Sequence, residues 1–387
     1  MLCYRCGSFV QDGSDACSAC GQHFDAAARK AGRYRRHTLE LDAGGIRPGD
    51  VLAGRYEVAG ALGTGPLGLV FRVRDRDVDS EVALKVIAPN LLQSPEERAD
   101  FLNSLKQARK LNHPNLVRVY DAGQIDATAT LPARAFFTSQ LVDGLTLRRV
   151  IQMRKDRGEV FTVQETEPIL TQIAQALEYA YRIGPHGDLK PENVIVTSDT
   201  LKVSDFGVAA AIPRAPFLSA QRQRKADVYV APEILSGHGF DQTSDMYALG
   251  VMLGEMLAGV VPSSGSQPPE LRERQRNIPT VVEALYRRAA NPDSQARFAT
   301  PVEFATELFR VTEVGPEHLA GSRVEITNPG IKGIPSGSDK TRRPQPPRSP
   351  STEIPWADMA GEPSKPENDK SGSQTPSPPK GFDDPAV

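Results

Sequence analysis

A chain of 387 residues with 46 Lys and Arg against 48 Asp and Glu has a formal net charge of -2, which excludes a general electrostatic affinity for nucleic acid. Hydrophobic residues at 39% and charged residues at 24% are ordinary for a globular protein, and no apolar run is long enough to span a bilayer. All 4 cysteines lie near the N-terminus, in a segment without the pattern of a secretory signal, so a reducing, cytoplasmic location and a metal site are expected rather than a disulfide framework.

The first segment, residues 1–24, pairs Cys3 with Cys6 and Cys17 with Cys20 in two C-x-x-C units, each followed by a glycine. Thiolates at that spacing can grip one tetrahedral Zn²⁺ from tight turns, and four of them close its shell, leaving His23 a bystander. The reading is a small zinc ribbon with a structural metal and a possible docking role; the alternative is a pair of redox dithiols. Residues 25–54 read as a linker, whose basic stretch RKAGRYRRH is either simply solvated or a patch for an acidic surface.

Residues 55–312 carry regular periodicity. Alternating patterns at 55–62, 68–75 and 81–88 predict strands, and apolar residues three and four apart predict helices at 165–184 and 244–259. A small β-rich lobe followed by a larger helical lobe is an α+β architecture. From residue 313 to 387 the chain turns rich in Pro, Ser, Gly and charge, the composition of a disordered tail.

Motifs follow in order through that periodic region. Gly63, Gly65, Gly68 and Val70 form G-x-G-x-x-G-x-V, a pattern that on its own could be an ordinary hairpin. VALK then ends at Lys85, LNHPNLVRVYDAG spans 111–123, and QLVDGLTL spans 140–147. HGDLKPEN runs from His186 to Asn193, SDFG from Ser204 to Gly207, and Ala231-Pro232-Glu233 precedes SDMYALG and Arg297. In this order and spacing residues 55–312 resemble the bacterial, eukaryotic-like (Hanks-type) serine/threonine protein kinases.

The resemblance implies a two-lobed fold that transfers the γ-phosphate of ATP to protein hydroxyls in signalling. Asp188 would take the substrate proton, Lys190 would contact the γ-phosphate, and Asn193 and Asp205 would hold Mg²⁺. Gly63, Gly65 and Gly68 would close over the phosphates, with Lys85 on the α- and β-phosphates. Gln140, Leu141 and Val142 would be the adenine-binding hinge behind a Ser139 gatekeeper, and Val70, Ala83 and Ile195 would sandwich the ring. Glu233 with Arg297, and Asp245 beneath the catalytic loop, would be structural. ATP and protein substrates are the implied partners, with no nucleic acid and no membrane span.

Three positions depart from the family pattern. The helix glutamate that pairs with the strand lysine falls at Ser104, and Glu97 or Asp100 could substitute only if the helix shifts. The arginine of H-R-D is Gly187, so the arginine that reads an activation-loop phosphate is missing and the chain reads as a non-RD kinase. The threonine that steadies the catalytic aspartate is replaced by Ala226. These departures keep a second reading open, a pseudokinase that binds ATP as a signalling scaffold.

Overall fold

The computed structural model describes Ala16 and residues 45–127, 132–197 and 199–313; the cysteine pairs, most of the linker and nearly all of the tail lie outside the described residues.

Six strands form the first sheet. β1 (Val51–Leu52), β2 (Tyr56–Gly65), β3 (Gly68–Asp75) and β4 (Ser80–Ile87) run antiparallel in sequence order, and β6 (Arg134–Gln140) then pairs with β4 and with β5 (Val119–Ile125) at the edge. The three alternating runs of the sequence are β2, β3 and β4, and the alternation has the physical basis expected of it. Val58 of β2, Leu69, Phe71 and Val73 of β3, and Val82, Leu84 and Val86 of β4 are buried, while side chains between them are more exposed. Gly68 is required by close approach, since a Cβ there would sit 2.0 Å from the Val86 carbonyl oxygen.

One helix, α1 (Pro95–Ala108), packs against this sheet through Phe101, Leu105 and Ala108. It starts at a capping box: Ser94 Oγ accepts from the Glu97 N–H at 3.1 Å, and the Glu97 carboxylate accepts from the Ser94 N–H at 3.1 Å.

The second lobe is helical. β7 (Leu145–Thr146) pairs with β8 (Val194–Val196), which pairs with β9 (Leu201–Val203). Around this small sheet lie α2 (Leu147–Lys155), α3 (Val163–Ala180), α4 (Arg214–Gln223), α5 (Gln242–Ala258), α6 (Thr280–Ala289) and α7 (Pro301–Glu313). The expected helix at 165–184 is α3; Thr162 and Glu165 start it two residues early with a second capping box, and a turn over 181–184 ends it sooner. The helix expected at 244–259 is α5, opened by Asp241 and closed by Gly259 at φ +66°. α5 is buried nearly all round, which makes it the core of the lobe.

Asn115 ties the two lobes together. Its amide donates to Gln172 Oε1, Thr200 Oγ1 and the Leu201 carbonyl, each at 3.0 Å, and its own carbonyl accepts from the Val203 N–H at 2.8 Å. Among the described residues no helix is long and apolar enough to cross a membrane.

Candidate active site

The site lies where the two lobes meet. Register places Val70 opposite Lys85 and Ala83 opposite Ser139, so these four side chains share one face of the first sheet. From that face Lys85 reaches across to an ion pair with Asp205, and both side chains are nearly buried. β8 brings Ile195 beside Thr146, next to the connection from β6 that carries Gln140, Leu141 and Val142. All of these lining residues are half-buried, as befits the walls of a cleft.

Gly63 and Gly65 lie at the end of β2, paired with Val70 and Gly68 beside the turn to β3, and a Cβ on either would meet nothing within 4 Å. Their missing side chains are therefore not explained by internal packing. They leave bare backbone beside the cleft, the surface that a phosphate group can approach. Of the three glycines in the motif, Gly68 serves the sheet and the other two face open space.

The loop 186–193 holds the second half of the site. Asp245, fully buried at the start of α5, accepts from the His186 N–H at 2.7 Å and the Gly187 N–H at 2.8 Å. Burial pushes its carboxyl up from the ordinary value, while His186 and those two amides pull it back. His186 Nδ1 accepts from the Asp188 N–H at 3.1 Å, so Nε2 carries the proton that it donates to the Ser204 carbonyl at 2.9 Å. The loop is thus fixed on both sides of Asp188. Lys190 Nζ donates to both carboxylate oxygens of Asp188, at 2.7 and 2.8 Å, and Asn193 Nδ2 donates to the Asp188 carbonyl at 2.7 Å and to Oδ2 at 3.2 Å.

Mg²⁺ takes oxygen ligands and keeps waters and phosphates in its shell, so one or two protein ligands suffice. The residues fit that requirement. Asn193 uses its Nδ2 on Asp188, and Asp205 uses Oδ2 on Lys85, which leaves Asn193 Oδ1 and Asp205 Oδ1 as oxygen donors without a hydrogen-bond partner among the described residues. Asp205 holds a left-handed φ of +61°, the kind of backbone strain that collects at functional sites.

Residues 56–312 match the protein kinase domain family. The chain belongs to the protein kinase family. Serine/threonine-protein kinase PknJ of Mycobacterium tuberculosis is 30% identical over 280 residues, 67% of this chain and 46% of the relative. Serine/threonine-protein kinase pkn3 of Myxococcus xanthus is 31% identical over 289 residues, 67% of this chain and 50% of the relative. The chain therefore spans about half the length of these curated relatives. The crystal structure of the Mycobacterium tuberculosis PknI kinase domain (C20A mutant) superposes with a TM-score of 0.58 at 28% identity, covering 68% of this chain and 98% of that one.

Within the kinase domain, α1 offers Lys85 no carboxylate. Ser104 and Asp100 are exposed, and Glu97 is spent in the capping box, so neither acid substitutes for the family's helix glutamate. The lysine pairs with Asp205 instead. Gly187 sits at φ +77°, and a Cβ there would press on Phe240 at 3.2 Å and Ala209 at 3.3 Å. Phe240 in turn meets Phe217 of α4 edge to face at 5.4 Å. An aromatic pair thus packs beside the position where the family carries its phosphate-reading arginine.

Two further contacts were hidden from sequence reasoning. Gln221 of α4 donates from Nε2 to Asp188 Oδ1 at 2.9 Å and accepts from Lys190 at 3.1 Å. Arg224, at the end of α4, donates to Thr64, between the two glycines near the end of β2, at 3.2 Å. The structural expectations for the rest of the segment can be read directly. Arg297 makes a two-pronged ion pair with Glu233 at 2.6 and 2.8 Å. Tyr229 is buried, bonded to Glu255 and Arg148, and burial followed by Glu255 pushes its hydroxyl far up. That leaves Ser219, exposed on α4, as the accessible hydroxyl side chain between Gly207 and Ala231.

Proposed function

We propose that the chain is an ATP-dependent protein serine/threonine kinase. The observation that carries this is the convergence, on one cleft, of the Lys85–Asp205 pair from one side and the Asp188–Lys190–Asn193 cluster from the other. Phosphoryl transfer needs charge neutralisation and in-line placement more than covalent chemistry, and these residues supply both. Gly63 and Gly65 present backbone N–H groups to the phosphates, Lys85 turns to the α- and β-phosphates, and Val70, Ala83 and Ile195 cover the adenine. Gln140 and Val142 meet its edge through backbone groups. Asp188 accepts the proton of the attacking hydroxyl while Lys190 steadies the γ-phosphate. Mg²⁺ bound through Asn193 and Asp205 would neutralise charge on the phosphates.

The N-terminal cysteines, outside the described residues, support a structural Zn²⁺ site formed by Cys3, Cys6, Cys17 and Cys20 with a role in docking. A cytoplasmic signalling role for the whole chain is part of the same reading.

The test is transfer of radiolabelled γ-phosphate from ATP to a generic serine- and threonine-containing substrate, with Asp188→Asn as control. Incorporation on Ser or Thr by wild type and its loss in the control is the expected result. ATP binding without transfer under Mg²⁺ or Mn²⁺ would instead establish the scaffold reading, in which the missing acid on α1 is decisive.

A further inference from the structure

The buried face of α4 carries Phe217, Leu218, Ala220 and Gln221. Three are apolar, and the fourth is a primary amide with no exposed surface. Burying an amide without partners is costly, and a methionine would fill the same volume without that cost. Gln221 is partnered at both ends, by Asp188 Oδ1 at 2.9 Å and Lys190 Nζ at 3.1 Å. The chemistry fixes the orientation: only the nitrogen can donate to a carboxylate and only the oxygen can accept from an ammonium.

The helix is built to hold that amide in place. Its last turn closes with a paired cap, the Ala226 N–H on the Gln221 carbonyl at 2.9 Å and the Lys225 N–H on the Arg222 carbonyl at 3.0 Å. Phe217, one turn earlier, is anchored on Phe240.

We propose that Gln221 is a positioning residue for phosphoryl transfer, holding the Asp188 carboxylate and the Lys190 ammonium in register and coupling both to the activation segment. The proposal rests on the kinase reading above. A carboxylate offers about four acceptor sites. Lys190 takes one on each oxygen of Asp188, Gln221 takes a second on Oδ1, and Asn193 makes a longer contact to Oδ2. When Lys190 turns to the γ-phosphate, a site opens on each oxygen. Gln221 keeps its hold on Oδ1 and Asn193 its contact on Oδ2, so the carboxylate's rotation stays restricted while an acceptor site is open to the incoming hydroxyl. The proton then moves from that hydroxyl to Asp188 as the oxygen–phosphorus bond forms and the bond to the leaving ADP oxygen breaks.

The experiment compares full-length wild type with Gln221→Met, which keeps the volume and removes the amide, and Gln221→Glu, which keeps polarity but cannot donate to Asp188. Steady-state transfer kinetics are read alongside thermal melting with and without Mg·ATP. The expected result for both variants is kcat lower by about ten- to a hundredfold, the scale of a small misplacement of reacting groups, with KM for ATP within about twofold. The ATP-induced melting shift should persist, which separates misplacement from misfolding. Adding Gln221→Met to Lys190→Met should cost much less than the two single losses combined, because the two residues act as a unit. Wild-type kcat in both variants would reduce Gln221 to packing, and a raised kcat would make it a plug on Asp188; either overturns the proposal. An inactive wild type that still binds ATP overturns the kinase reading and this proposal with it.

Discussion

Lys225 sits at φ +54°, the left-handed position just past the end of α4, with its side chain exposed. A side chain there costs about 1–2 kcal/mol, and glycine gives part of that back as extra entropy in the unfolded chain. Lys225→Gly should therefore stabilise the domain by about 0.5–1 kcal/mol, read from denaturant melts. A variant less stable than wild type would mean that Lys225 makes a stabilising contact outweighing its strain. His113 gives a pH-dependent counterpart. Burial, and then Lys202, hold its imidazole below the ordinary value of 6.5, and Nδ1 accepts from the Asn115 N–H at 3.1 Å, which only the unprotonated ring can do. The unfolded chain takes up that proton first. The contribution of His113 is thus fully present above about 6.5 and is lost as pH falls through the unfolded value toward the folded one. His113→Gln should narrow the gap to wild type as pH falls from neutral toward 5; parallel melting curves would contradict the assignment.

Helix α4 is one of the elements that the sequence hid. Strand alternation marked β2, β3 and β4, and three- and four-residue spacing marked α3, because each of those elements buries one face; α5, buried nearly all round, was marked by its run of apolar residues, which includes that spacing. α4 is short, and its buried face includes a glutamine whose partners lie 31 and 33 residues away, so no local pattern reveals its seat. The ordered motifs marked Lys85, Asp188, Lys190, Asn193 and Asp205, but the pairing of Lys85 with a residue 120 positions on, in place of a helix acid, needed the fold. Glu97 looked available only because its capping role depends on backbone geometry. α4 also carries the regulatory expectation. Its anchor beside Gly187 is the Phe217–Phe240 pair, so its placement does not depend on a phosphate meeting an arginine. Phosphatase-treated wild type and Ser219→Ala should be equally active, whereas Phe217→Ala should cost about 3–5 kcal/mol of stability as a buried aromatic is lost. If Ser219→Ala abolishes an activity that phosphorylated wild type shows, some other basic residue reads a phosphate on α4. Gly187→Arg should destabilise by about 1–3 kcal/mol, because its Cβ meets Phe240 and Ala209 at 3.2 and 3.3 Å, rather than restore phosphate control.

At the scale of the whole molecule, the cleft belongs to both lobes, so a nucleotide should act on them as one. Lys85 and Asp205 come from opposite sides of the cleft and pair with each other. On the proposed kinase reading, a bound nucleotide would give the lysine and the carboxylate separate partners, phosphate and Mg²⁺. A ligand that binds only the folded state at a hundredfold excess over its Kd stabilises by about 2.7 kcal/mol, roughly 5–10 °C in Tm for a domain of this size. Lys85→Met should weaken that shift, because the α- and β-phosphates lose their cationic side-chain partner while the Mg²⁺-dependent part remains. Asp205→Asn should keep a metal-independent remainder, because an amide oxygen still accepts from Lys85 while the charged metal ligand is gone. The two variants therefore separate the phosphate and metal contributions by whether Mg²⁺ changes the shift. A chain beginning at residue 45, where the described domain starts, should show the wild-type shift and be indifferent to chelators in the absence of Mg·ATP. The full chain should carry about one zinc, released on acidification as the thiolates protonate. Identical shifts in wild type, Lys85→Met and Asp205→Asn would show that nucleotide binds elsewhere, and the cleft assignment would fail at its foundation.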